Sequence, residues 1–532
     1  MVNGDEDVAS PQLWQALHRR HLRRKVVRDL LWAVTSPHLI DARHFPVLPP
    51  DIGIPSDPIG EELLIRWLQG LQQDPAHIVA FLQDKSRSRS KALALGVYFA
   101  SLLEYWLRYC PTLHPARFEV GKQIISATNQ TLGQLKFLFR LCAERADDDN
   151  SDWTDYHVES SVKFFLLHPE NSSSDATPHR LEHFVGPHLG ENLAWRTQEV
   201  ARKLDMCRGD SVQRWLREHY SDNVQSRVVL RGYLFYPLQY FASTSCVTRR
   251  HDWQLHRNRK RDTAAPASLR PVPPQIGEGH LRGWWTSDLE TELPPRVHAN
   301  ETGESRFVVL PKLHWLCPVL AVERRSDADG GVDVVIEGDD DLQVETVSSM
   351  TLEELIAFVR EHFQSKKAKD DAQSFGGVVM PLLIAEIVRS EVVSSTGKFT
   401  SSVVYWEELS RGFVLDPTSW DPRPLCQDAV RYKRTVPSSG PDQERVVALA
   451  DREYEGHREW SNEGVIRPSD DEVEMARRQK LHQFESPQAL TPALMCGELL
   501  TILQQSQKTY THANLKASVQ EGRLQSELHY RP

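Results

Sequence analysis

Residues 157–167 read HVESSVKFFLL, which sets a carboxylate and an ammonium four positions apart. In an extended strand alternate side chains share a face. One face would carry Val158, Ser160, Val162, Phe164 and Leu166; the other would carry His157, Glu159, Ser161 and Lys163 before turning apolar at Phe165. The apolar set is expected to face the core, and the polar set the opposite surface. Two strand steps separate the backbones of Glu159 and Lys163 by about 13 Å. That is long for a direct ion pair, but both side chains could point at one ligand lying over the strand. A carboxylate and a lysine so placed suit metal-dependent phosphodiester hydrolysis. The acid would help bind Mg²⁺, and the lysine would position or activate water and offset developing charge. The plain alternative is a solvated polar face of a half-exposed strand.

A metal site of that kind needs a second carboxylate, and the neighbouring strand TLGQLKFLF (131–139) should supply it. Its alternation sets Gln134, Lys136 and Leu138 on one face, and Leu135, Phe137 and Phe139 on the other. An amide and an ammonium therefore stand where acids are wanted. An ammonium repels Mg²⁺, although Lys136 could pair with Glu159 across the strands.

Other clusters are weaker. His179 and His183 lie four apart with Glu182 between them, but the order is not H-E-x-x-H, and Pro178 after ENSSSDA argues for a loop. Seven scattered cysteines without a C-x-x-C pair exclude a zinc ribbon and argue against a disulfide framework, so reduced and mostly buried thiols are expected. Two basic islands could meet phosphate. The first holds Arg19, Arg20, Arg23, Arg24 and Lys25; the second holds Arg249, Arg250, Arg257, Arg259, Lys260 and Arg261, with Trp253 placed to stack on a base. The second also has the composition of a nuclear-localisation cluster. Charge runs of this kind are usually just solvated. No glycine-rich phosphate loop and no G-x-S-x-G is present.

The elements that must position these residues can be read from periodicity. Helices are expected over 11–35, after Asp57-Pro58, at about 76–84, and over the apolar 91–109 stretch. Strands follow at RFEVGKQII, TLGQLKFLFRL and YHVESSVKFFLL, then a helix in LGENLAWRTQEVARKLDM and an apolar strand run in SRVVLRGYLFYPLQ. Two more strand runs, GGVVMPLLIAEIV and SSVVYWEELSRGFVLD, flank nothing helical in this reading; the acidic RRSDADGGVDVVIEGDDDLQVE before them reads as a loop. The fold class is α/β, a mixed sheet flanked by helices. The expected divisions are an N-terminal helical region (1–90), an α/β core (91–245), a basic and Pro-rich linker or loop (246–279), a second ordered region with an acidic insertion (280–422), and a polar, partly helical tail (423–532).

Charge bounds the partners. Residues 323–532 carry 36 acids against 24 Lys and Arg, whereas residues 1–322 are near neutral, so the chain does not have the composition of a strongly basic nucleic-acid binder. An acidic C-terminal part suits protein contacts. No run approaches the roughly 18 apolar residues of a membrane span, and MVNGDEDVAS lacks the layout of a signal or transit peptide. An intracellular protein, cytoplasmic or nuclear, without a membrane partner is expected.

An ordered set of segments resembles one family of mainly bacterial proteins, the domain of unknown function family numbered 1853. The segments are VRDLLWAVTSPHLI (27–40), LALGVYFASLLEYWL (93–107), TLGQLKFLF, HVESSVKFFLL, GPHLGENLAWR (186–196), SRVVLRGYLFYP (226–237), HLRGWW (280–285), FVVLPKLHWLCP (307–318), PLLIAEI (381–387) and ELSRGFVL (408–415). That family in turn resembles the PD-(D/E)XK nuclease-like superfamily, which implies a restriction-endonuclease-like core. In the family pattern the first of the two strands reads like L-G-E-L-D-F-L and the second like E-L-A-V-K-F. The resemblance therefore matches Glu159 and Lys163 to site positions and sets Gln134 and Lys136 where a glutamate and an aspartate are usual. Ala100 falls where a further glutamate is expected, and Glu104 stands one helical turn later. The implied protein is a nuclease-like domain without its metal acids, a binding or scaffold protein requiring no cofactor, with nucleic acid as one partner. The alternatives are an active Mg²⁺-dependent phosphodiesterase using Glu104, Glu159 and Lys163, and a module for protein contacts alone.

Overall fold

A computed structural model describes residues 22–427 except 50–51, 56, 88–93, 114, 126–130, 143–152, 170–178, 243–271, 278, 293–304, 326–331, 340–341, 343, 371–378 and 397–398. Among the described residues four helices come first: α1 (Lys25–Thr35), α2 (Pro58–Gln73), α3 (Ala76–Arg87) and α4 (Leu95–Tyr109). Asp57 starts α2 by accepting the Gly60 amide, with Pro58 at the first helical position. Three strands follow, β1 (Arg117–Ile125), β2 (Thr131–Cys142) and β3 (Trp153–Leu167), then the short β4 (Phe184–Val185), α5 (Leu193–Met206), α6 (Asp210–His219) and β5 (Val224–Pro237). The remainder holds β6 (Leu281–Thr286), β7 (Ser305–Val309), β8 (Leu320–Arg325), β9 (Val332–Ile336), β10 (Val347–Ser348), α7 (Leu352–Asp370), β11 (Leu382–Thr396) and β12 (Phe399–Val414).

The twelve strands of the described residues join one mixed sheet whose main path runs β1-β2-β3-β5-β6-β12-β8-β9-β10. The meander β1-β2-β3 is antiparallel, and β3-β5-β6-β12 is parallel. Strands from 91–245 and from 280–422 thus share one hydrogen-bonded ladder. Parallel strands are normally covered on both faces, and β5 obeys: its last ten residues, Val228–Pro237, are buried in succession.

On one face α1 to α4 cover the sheet. Leu30, Leu64, Ile78, Phe99, Leu102 and Trp106 pack with Phe137, Val158, Phe164 and Tyr233 in a single cluster. On the other face α5 buries Leu193, Val200 and Leu204 against Phe165, Leu167, Val228 and Leu230. Next to it Val212 and Leu216 of α6 pack on Leu135 and Leu138. The architecture is the expected mixed sheet flanked by helices. No helix among the described residues is long and apolar enough to cross a membrane.

Two expectations need correction. The acidic stretch read as a loop contains β9, whose Val334, Val335 and Ile336 are buried. Beyond it α7 packs Leu355, Val359 and Phe363 onto Phe307, Ile384 and Val414. Local apolar periodicity outweighs net charge here, because only one face of each element needs burial. The expected helix over 11–35 is described from Lys25, and the tail beyond 427 lies outside the described residues.

Candidate functional site

The polar face of β3 is not a surface. His157 is fully buried, and Glu159 is 4% exposed. Helix α5 closes over this face, held at its start by Asn192, whose side chain accepts the Trp195 amide. From there one stripe of the helix sets Arg196 and Lys203 seven residues apart, with Cys207 four residues further at the C-cap. Those intervals rise about 10.5 and 6 Å. The strand positions beneath, from Lys163 to Glu159 to His157, are spaced about 13 and 6.6 Å. Helix and strand run in opposite senses, so the two series match.

Two polar groups result. At one end Lys163 Nζ lies 2.6 Å from Glu191 Oε1. Arg196 binds the other oxygen of the same carboxylate through Nε at 3.0 Å and through its terminal nitrogen. Burial alone would raise the Glu191 pKa; Lys163 and Arg196 reverse that and hold its carboxyl below the usual value. Gly232 of β5 stands opposite Lys163. Its φ is +140°, and a Cβ there would sit 1.7 Å from the Lys163 carbonyl oxygen, so the strands close at this point only over glycine.

At the other end Glu159 Oε1 accepts the Lys136 backbone N–H at 3.2 Å and lies 3.2 Å from His157 Nε2. Lys203 Nζ is 3.6 Å from Oε2. These partners overcome burial and keep the carboxyl below its ordinary value. His157 Nδ1 lies 2.9 Å from Cys207 Sγ and 3.4 Å from Ser226 Oγ of β5. Burial opposes a charge on this imidazole, but Cys207 and Glu159 raise its pKa to about 9.

The second strand departs from simple alternation. Lys136 donates its ammonium to the Ser160 carbonyl at 2.6 Å, so it binds the backbone of β3 as well as facing Glu159 through its N–H. Opposite it the register of β1 and β2 runs on unbroken, Val120 to Phe137 and Lys122 to Leu135, with Gly121 between them at φ +66°. Leu135 and Leu138 pack in one cluster, although strict alternation would separate them, and the ladder with β3 begins only at Phe137. Gln134 is exposed and donates to the Gly121 carbonyl at 2.9 Å, away from Glu159.

The expected convergence of Glu104 with Glu159 does not form. Glu104 sits on α4, which packs over the Val158 face of β3, while Glu159 points to the α5 face. Its carboxylate is taken up by Lys85 Nζ and Arg108 Nε, each at 2.9 Å. Ala100 packs against the helical core on that same side. Glu159 and Lys163 also do not share one ligand position, since each carries its own partners. Among the described residues no group of three or more His, Cys, Asp or Glu is placed to hold a metal ion. His179 and His183 are both buried, with ring centroids 6.4 Å apart.

Of the first basic island, Arg23 donates to the Tyr405 hydroxyl, Arg24 to the Gln72 carbonyl, and Lys25 pairs with buried Asp29. These three are tied into the fold. Arg19 and Arg20 lie outside the described residues, as do Arg249, Arg250, Trp253, Arg257, Arg259, Lys260 and Arg261. Sequence reading missed Glu191, Arg196, Lys203 and Cys207. The signal was present in the helix stripe that faces the polar positions of β3.

A family model described as Domain of unknown function (DUF1853) matches residues 28–415. No curated protein and no solved structure matches the chain.

Proposed function

The chain belongs to the DUF1853 family, and from that premise we propose that it is a nuclease-like domain without hydrolytic competence, acting as a binding or scaffold protein. The observation that supports this reading is the engagement of the β3 polar face. Glu159 is held by Lys203, His157 and the Lys136 amide, and Lys163 by Glu191. A carboxylate with cations on both sides has little to offer Mg²⁺, which needs oxygen ligands at about 2.1 Å. A lysine bound to a buried carboxylate does not reach an attacking water. The ancestral parts have become a seam that fixes α5 on the sheet. The antiparallel meander, covering helix and parallel return strand agree with the mixed, helix-flanked sheet that a nuclease-like core calls for.

Nucleic acid is the partner to test first, through the basic segment at 249–261, with the acidic C-terminal part contributing protein contacts. The experiment incubates the full chain with single- and double-stranded DNA and RNA in Mg²⁺ or Mn²⁺, and follows binding and cleavage together. Salt-dependent binding without turnover is expected. Turnover abolished by Lys163→Ala would overturn the reading, and salt-independent absence of binding to every nucleic acid would leave only the protein-contact role.

A further inference from the structure

We propose that Cys207 is a peroxide-reactive thiol, with His157 as its proton acceptor and Glu159 as the carboxylate that orients the imidazole. The three side chains stand in line. Cys207 Sγ is 2.9 Å from His157 Nδ1, and His157 Nε2 is 3.2 Å from Glu159 Oε1. An ionised carboxylate only accepts hydrogen bonds, so the shared proton sits on Nε2. The second proton of the imidazolium then sits on Nδ1, which faces Cys207 Sγ and holds the proton that the sulfur gives up. A nucleophile, a base and a group that fixes the base's tautomer are the parts needed to activate a thiol. Lys203, 3.6 Å from the second oxygen of Glu159, favours the ionised form on which this arrangement depends.

Burial selects the reagent. Cys207 is 3% exposed and His157 is not exposed at all, which excludes polymers, peptides and glutathione and leaves a small uncharged oxidant as the reagent. Hydrogen peroxide has that chemistry. His157 Nδ1 takes the Cys207 proton, and the sulfur attacks one peroxide oxygen. The S–O bond forms as the O–O bond breaks, and the departing hydroxide takes the proton from Nδ1 and leaves as water. Sulfur loses two electrons and peroxide gains them; the products are a sulfenic acid at Cys207 and water. Two other buried thiols lack this provision. Cys110 contacts the Gly53 carbonyl and the Thr112 hydroxyl, and burial pushes its thiol up to about 11. Cys317 lies beside Asp29 and is pushed up to about 12, first by burial. The inference stands apart from nucleic-acid binding and does not depend on it.

The test treats the full reduced chain with hydrogen peroxide, quenches with catalase, and denatures it in N-ethylmaleimide. Peptide mass spectrometry then reads how much of each cysteine remains alkylatable. Cys207 is expected to be lost at least about tenfold faster than Cys110 and Cys317. Equal rates for the three in the wild-type chain overturn the proposal, whatever any variant does. Glu159→Gln is expected to slow Cys207 about tenfold while leaving the other two unchanged, a selectivity that general loosening of the fold cannot produce. A folded Glu159→Gln chain with unaltered Cys207 loss removes Glu159 from the arrangement and likewise overturns the proposal. Glutathione disulfide is expected to leave Cys207 untouched, and mixed-disulfide formation there would overturn the choice of reagent.

Discussion

Replacing Glu191 and Lys163 one at a time separates a structural lysine from a reactive one. The cluster holds one acid and two bases, with Lys163 and Arg196 side chains 12% and 8% exposed. Glu191→Gln removes the carboxylate that Lys163 and Arg196 share in a poorly hydrated seam. Losing one partner of a buried ion pair costs about 3–5 kcal/mol, and the second cation places this case at the upper end. Lys163→Met instead leaves the Glu191–Arg196 pair whole and fills the space with an apolar stem of similar length. Its cost is the charged hydrogen bond, about 1.5–3 kcal/mol, partly offset by the apolar contact, which leaves about 1–2 kcal/mol. The asymmetry, about 2 kcal/mol or more, is the quantity that tests the argument. Urea unfolding followed by tryptophan fluorescence gives both values, and the double variant gives their coupling. Because the Glu191 pKa is depressed in the folded chain, its contribution is present above the unfolded carboxyl value and is lost as pH falls through the folded one. Glu191→Gln should therefore also weaken the acid dependence of stability. Equal costs for the two single variants, or a Glu191→Gln cost below about 1 kcal/mol, would refute the picture of α5 fastened to β3 by this cluster.

Three further outcomes follow from the same seam. His157, faced by Glu159 on its own strand, Cys207 at the end of α5 and Ser226 from β5, with Lys203 and Lys136 reaching Glu159 beyond it, holds its proton up to about pH 9; its stabilisation is complete below about 6.5 and disappears as pH rises through 9. That is worth about 3 kcal/mol, and denaturation midpoints at the two ends of the window should converge in Glu159→Gln. Gly232→Ala forces a Cβ onto the Lys163 carbonyl at a backbone angle alanine disfavours, and should cost at least about 2 kcal/mol in the same urea assay. Glu104→Gln should leave any metal-dependent cleavage unchanged while lowering stability, since Lys85 and Arg108 are what it touches; a selective loss of cleavage in a folded variant would return Glu104 to the chemistry.

The elements around the candidate site were legible because their signals are local. The three antiparallel strands, the buried α4 and the helix after Asn192 announce themselves through alternation, helical spacing and a capping residue. The identity of Glu159 and Lys163 as the polar positions of β3 follows from the same alternation. The position of those residues in the layers was not legible, because period 2 says which side chains share a face but not what covers that face. The polar row looked solvated, and a helix of mixed character, LAWRTQEVARKLDM, covers it. That helix carries its apolar residues at Leu193, Val200 and Leu204 and its polar seam at Arg196 and Lys203. A search for one amphipathic face finds the first stripe and assigns the second to water.

Lys136 changed the expected site by more than removing a carboxylate. Standing where the resemblance expects an acid, it argued only for loss, since an ammonium cannot ligate Mg²⁺. In the fold its amide reaches Glu159 and its ammonium reaches the Ser160 carbonyl, which fills the gap where β2 leaves the ladder with β3. Lys203 then balances the remaining oxygen of Glu159, and His157 takes the first oxygen as well. The Glu159 carboxylate contacts an imidazole, and the imidazole faces a thiol. A carboxylate and a lysine on one strand face are therefore not by themselves evidence of a reaction. Their new partners decide what they do, and those partners, Lys203 and Cys207, come from a helix roughly forty residues further along the chain.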